Sequence, residues 1–189
     1  MRSRSAHLCV WLTVVLAICC YPQTASAQQG EEAYSAMLIA SEGLAGQTAG
    51  RIVIRITSHT TADEKTGLKS AFQKSQDDGL NLLRTMSKGF INVEGQQGRK
   101  IMAVFSRDLK DGHELVIVGE HVVSKLEKLR NVKPEDHPLA VIHLRFDSGG
   151  DPVNGEVFPA VKVSVTPDGF VDVQTDNANK IMMYELKRR

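Results

Sequence analysis

The sequence predicts an α+β domain: a curved, mostly antiparallel sheet of roughly seven to nine strands, barrel-like or sandwich in form, with one long amphipathic helix and one short helix. Three observations carry this prediction. Apolar residues recur with a period of two in short runs between Arg51 and Leu186, separated by turns rich in Gly and Pro. Residues 62–88 interrupt that rhythm with helical spacing. One amphipathic helix cannot cover so many strands that each bury one face, so the sheet must curl on itself.

Ahead of this domain, residues 1–27 read as a secretory signal peptide. Arg2 and Arg4 form a positive n-region, Leu8 to Cys20 an apolar run too short to span a bilayer, and Ala25-Ser26-Ala27 a small-residue cleavage site. Ile18 is too large to precede a lipidated Cys19. Cleavage predicts a single globular domain over residues 28–189, periplasmic or secreted, with no membrane span left. It also removes all three cysteines and the only tryptophan. An exported chain that holds its fold without disulfides suits a bacterial envelope better than a small animal secreted domain.

The charge balance excludes two partner classes. The whole chain has 23 basic and 22 acidic side chains and a formal net charge of +1, and loss of Arg2 and Arg4 takes that to −1. Nucleic acid and anionic membrane both need a basic excess, so neither is expected. A monomer is expected, with an envelope protein or a small ligand as its partner.

Ala33 to Ser41 is a first strand, ended by a loop from Gly43 to Gly50 whose glycines are misspaced for a dinucleotide fingerprint. Arg51 to Ser58 alternates, with Ile52, Ile54 and Ile56 on one face. Thr61-Ala62-Asp63-Glu64 is a capping box that opens the long helix. Leu68, Phe72, Leu80, Leu83 and Met86 fall near one face of it, and Gly89 stands where it should stop. Its weak point is Asp77-Asp78-Gly79, where glycine costs about 1 kcal/mol relative to alanine and where the helix could break into two.

Arg99 to Arg107 reads as a strand with Ile101, Ala103 and Phe105 on one face, followed by a hairpin loop from Asp108 to Gly112 and a strand over Glu114 to Gly119. Ser124-Lys125-Leu126-Glu127 is a second capping box and opens the short helix, which runs to Asn131. Leu139 to Phe146 is the clearest strand. Val157 to Val165 turns through Thr166-Pro167-Asp168-Gly169 into Phe170 to Gln174, and Ile181 to Leu186 closes the sheet.

No arrangement of side chains rises to a specific chemistry, so no catalytic residue, metal site or cofactor is predicted. Asp147-Ser148-Gly149-Gly150 is similar to the nucleophile loop of chymotrypsin-like serine proteases, but Phe146 replaces the glycine that shapes their oxyanion hole. His59, the upstream base best placed by sequence, lies at a strand end and lacks that family's Ala-His-Cys context. A turn accounts for the loop. Asp147, Asp151, Asn154 and Glu156 offer oxygen ligands, without the spacing of a calcium loop.

His143 and Arg145 are the candidate ligand-binding residues. They share the face of the 139–146 strand opposite Ile142, Leu144 and Phe146. Side chains two apart on one face stand about 7 Å from each other, close enough to share one anionic group. On a solvent face, replacing either with alanine should change stability by no more than about 0.5 kcal/mol.

Gly50-Arg51-Ile52-Val53-Ile54-Arg55-Ile56, leading into Thr61-Ala62-Asp63-Glu64, and His137 to Asp147 before a Gly-rich turn give the chain a resemblance to an uncharacterised family of bacterial exported proteins. The likeness covers much of residues 34–187. It implies export and brings no activity, cofactor or site residues.

The function expected from the sequence is therefore a non-catalytic binding or interaction module of the bacterial envelope. Two alternatives stand beside it. One is a carrier of a lipid or small apolar ligand in a sheet-enclosed cavity. The other is a hydrolase whose site is assembled from several strands.

Overall fold

The computed structural model describes residues 30–40, 48–120, 139–166, 169–174 and 180–189. The signal segment and the second capping box, with its short helix, lie outside the described residues. Within them the order is β1 (Glu32–Ala40), β2 (Thr48–Ile56), α1 (Ala62–Lys74), α2 (Gln76–Thr85), β3 (Gly89–Val93), β4 (Arg99–Leu109), β5 (Gly112–Glu120), β6 (Leu139–Asp147), β7 (Pro152–Val165), β8 (Val171–Gln174) and β9 (Ile181–Arg188).

Eight of these strands close a ring. β1 to β6 pair in sequence, β6 pairs with β7, and β9 lies between β7 and β1, all antiparallel. β8 stands outside the ring and pairs only with the last residues of β7, Lys162 to Val165. The expected curl of the sheet thus takes the form of a barrel with an appended hairpin. Pro159 lies in the middle of β7, where a central strand excludes proline. It falls in the stretch where the β6–β7 register slips, between the pairs Val141↔Phe158 and Leu139↔Val161.

The alternation of Ile52, Ile54 and Ile56 places all three inside the barrel, beside Tyr34, Leu38, Ile91, Ile117, Ile142, Leu144 and Phe146. These side chains fill the interior, as an eight-strand barrel of modest diameter allows. The inward faces are apolar, the reverse of the polar lumen of outer-membrane barrels. Among the described residues no helix is long and apolar enough to cross a membrane.

A second apolar layer lies outside the ring. Met102, Ala103 and Phe105 of β4, Val116 and Val118 of β5, Leu139 and Val141 of β6 and Phe158 of β7 point outward. Leu68, Leu83 and Met86 from the helical region and Val163 and Val171 from the β7–β8 hairpin cover them. The strands of this sector bury both faces, so the expectation of one apolar face per strand fails there. The expected single face of Ile101, Ala103 and Phe105 fails for a related reason. The β4–β5 register slips between Ile101 and Ala103, leaving Ile101 inside with Val104 while Ala103 and Phe105 turn outward.

The long helix of residues 62–88 is two helices. The capping box at its start forms as expected, with Thr61 Oγ1 accepting from the Glu64 amide and the Glu64 carboxylate accepting from the Thr61 amide. α1 ends at Ser75, whose extended backbone (φ −162°, ψ 158°) stops one helix while its hydroxyl caps the next by accepting from the Asp78 amide. Gly79 lies inside α2, where it lets α2 approach α1: a Cβ there would stand 2.4 Å from the Phe72 ring. Gly89 opens β3 instead of stopping a helix, at φ +139° and with the Arg55 carbonyl where a side chain would be.

Candidate functional site

The outer face of the barrel carries a row of charge at the edge of its apolar layer. The β4–β5 hairpin turns tightly at Lys110-Asp111, pairing Leu109 with Gly112, and that register sets Arg107 directly opposite Glu114. β6 then sets Arg145 opposite Glu114 from the other side. His143 lies on the same outward face, beside Val116 on β5 and Glu156 on β7.

Glu114 is the centre of this row. It is only 1% exposed, whereas Arg107 and Arg145 are about half exposed. Arg107 Nη2 donates to Glu114 Oε2 at 2.5 Å, while His143 Nδ1 and Arg145 Nε approach Oε1 at 3.3 and 3.4 Å. The His143 hydrogen bond does most to pull the Glu114 carboxyl down to about 2; burial opposes it, and the His143 and Arg107 charges add to it. An ionised carboxylate only accepts, so His143 Nδ1 carries the proton of that contact. His143 Nε2 is buried and has no hydrogen-bond partner among the described residues.

A cleft of about 150 Å³ lies over this row, under the β7–β8 hairpin. Arg107, His143 and Phe158 of the barrel wall and Phe170, Asp172 and Val173 of the hairpin line it. The Arg107 guanidinium lies 4.6 Å over the Phe170 ring and the His143 ring meets Phe158 edge-on at 5.3 Å. Thr166 holds the hairpin turn: its hydroxyl donates to the Phe170 carbonyl at 2.8 Å and accepts from the Phe170 amide at 3.1 Å.

The two candidate ligand residues are thus brought together, and the anionic group they share is internal. Arg145 is exposed as expected. His143 is 23% exposed, because the face predicted to be solvated is partly covered by the hairpin. Sequence reasoning missed Glu114, Arg107, Phe158 and Phe170. The signal for the first two was the tight hairpin, which pairs Arg107 with Glu114 once its turn is placed at residues 110–111.

The other sequence candidates have local roles. Asp147 Oδ1 accepts from the amides of Gly149 and Asp151, closing the β6–β7 turn. His59 Nε2 contacts Glu32 Oε1 at 2.9 Å, and Tyr34 donates to the other oxygen of that carboxylate. The His59 contact leads in lowering the Glu32 carboxyl, and burial followed by the Glu32 hydrogen bond pushes the Tyr34 phenol up. His113 stacks on Phe146 with ring centroids 4.4 Å apart. His121 and His137 lie outside the described residues. Among the described residues no group of three or more His, Cys, Asp or Glu is placed to hold a metal ion.

No protein-family model, no curated protein and no solved structure matches this chain.

Proposed function

We propose that this chain is an exported module of the bacterial envelope that binds a small ligand or a partner's side chain without chemical turnover, through the cleft outside its barrel. The observation that carries this reading is His143 Nε2, a buried polar atom without a partner on a ring that lines the cleft. Buried polar atoms are nearly always hydrogen-bonded, and one left over beside a cleft supports a ligand there. Export rests on Arg2, Arg4, the Leu8 to Cys20 run and Ala25-Ser26-Ala27. The carrier version draws no support from the barrel axis, which side chains occupy.

One observation favours the hydrolase reading. Glu114 orients His143 through Nδ1, the arrangement that prepares an imidazole for general-base work. Against it, Thr166, the hydroxyl residue lining the cleft, has its proton committed to the Phe170 carbonyl.

Native mass spectrometry of the protein recovered from the periplasm tests both readings. Binding predicts a small-molecule adduct that disappears in Val173→Trp, a substitution that fills the cleft and leaves the ionic row intact. Turnover of p-nitrophenyl esters that vanishes in His143→Ala would overturn the non-catalytic reading and install the hydrolase.

A further inference from the structure

Resting on the reading of the outer cleft as a binding site, we propose that its ligand is a small organic carboxylate, held between His143 Nε2 and the Arg107 guanidinium with its apolar body against Phe158 and Val173. His143 lies among charged groups of the neighbouring strands. Arg107 on β4, Arg145 on its own strand β6 and Lys180, whose Nζ is 3.1 Å from Glu156, are cationic. Glu114 on β5, Glu156 on β7 and Asp172 on β8 are anionic. These fixed charges balance. Protonation of His143 then leaves one positive charge uncompensated in a partly buried setting, where it is strongly felt. A monoanion restores neutrality.

Hydrogen-bonding capacity points the same way. With Nδ1 committed to Glu114, protonation turns Nε2 from an acceptor into a donor. Arg107 places Nη2 on Glu114 and the face of its guanidinium on Phe170, which leaves in-plane N–H donors for a second carboxylate. Two donors on different strands, from residues that line one cleft, match in number the two oxygens of one carboxylate. Phe158, Val171 and Val173 give the rest of the cleft apolar walls, which favours an organic carboxylate over a hydrated inorganic oxyanion. A cleft of about 150 Å³ accepts the carboxylated end of a ligand or a molecule of a few carbons. Where His143 is neutral beforehand, binding takes up a proton, so affinity falls as pH rises.

The test is calorimetric titration of the exported chain with butyrate and benzoate at about pH 5.5 and about pH 8, in buffers of different ionisation enthalpy. Benzyl alcohol and inorganic phosphate are the comparison probes. A carboxylate is expected to bind about tenfold or more tightly at the lower pH, with net proton uptake at the higher pH. His143→Gln should abolish the pH dependence, and Val173→Trp should abolish binding while leaving the ionic row in place. Equal affinity at the two pH values, benzyl alcohol or phosphate binding as tightly as the carboxylates, or no binding by any probe overturns the proposal. A non-carboxylate adduct displaced by Val173→Trp would overturn it too, yet leave the binding-module reading standing.

Discussion

Glu114 and His143 sit on adjacent strands of the barrel wall with Oε1 and Nδ1 3.3 Å apart, the carboxylate buried and the imidazole at the lip of a cleft. The contact fixes which imidazole nitrogen holds the proton. It also divides the two candidate ligand residues, which the sequence alone treats alike. His143 supports a buried charge, whereas Arg145 reaches the same carboxylate from solvent.

The first prediction follows from that division. His143→Ala removes the leading hydrogen bond to a buried carboxylate and should cost about 1–3 kcal/mol. Arg145→Ala removes a half-exposed partner at 3.4 Å and should stay within about 0.5 kcal/mol. Urea denaturation of the two variants checks this. Equal effects would mean that Glu114 does not depend on the imidazole.

Acid stability supplies the second. The Glu114 carboxyl is lowered from 4.5 to about 2, so it favours the folded state fully above pH 4.5. That contribution is lost as pH falls from about 4.5 toward about 2, where the folded form takes up the proton as well. Glu32 is also lowered and acts in the same direction. The melting temperature should therefore fall across this window. Glu114→Gln should flatten the decline and lower the neutral-pH melting temperature, because the three partners lose their anion.

Gly79 gives a prediction whose sign separates propensity from packing. Helix propensity alone says that Gly79→Ala stabilises α2 by about 1 kcal/mol. The new Cβ would stand 2.4 Å from the Phe72 ring, so the substitution should destabilise by about 1–2 kcal/mol instead. A double variant with Phe72→Ala should recover the loss due to Gly79→Ala. Thermal melts of the single and double variants read the coupling.

Much of the barrel was legible because its rules are local. Ile52, Ile54 and Ile56 declare an inner face by alternation, and Thr166 to Gly169 declare a hairpin by turn chemistry. The outer layer was not legible in the same way. Leu115 to Val118 and Leu139 to Ile142 are continuous apolar runs, which signal burial on both faces but do not say what covers the second one. The break that Asp77-Asp78-Gly79 allowed falls instead at Ser75; its position was hidden because the helical spacing of apolar residues continues across it, although Ser75 followed by Asp78 is itself a cap signal. The site was legible only in part. His143 and Arg145 could be placed on one face, but Glu114 is a lone acid until the hairpin register pairs it with Arg107 and Arg145.

The final prediction concerns the seam that closes the barrel. β9 pairs with β1 through a register slip between the pairs Ser35↔Lys187 and Met37↔Tyr184. Glu185 falls in that slip at φ +53°, the only described non-glycine residue with positive φ. A bulge of this kind favours glycine at its left-handed position, and an ordinary side chain there is strained by about 1 kcal/mol or more. Glu185→Gly should therefore stabilise the protein by roughly 0.5–1 kcal/mol, the relief of strain exceeding the extra freedom given to the unfolded chain. Glu185→Asn, which tolerates the same backbone, should be close to neutral or slightly stabilising. Glu185→Val should cost about 1–2 kcal/mol, because a β-branched side chain resists positive φ. Denaturant midpoints should therefore rank Gly above Asn above Val. A valine variant as stable as the glycine one would show that Glu185 does not hold this backbone conformation and that the β1–β9 register lacks the bulge.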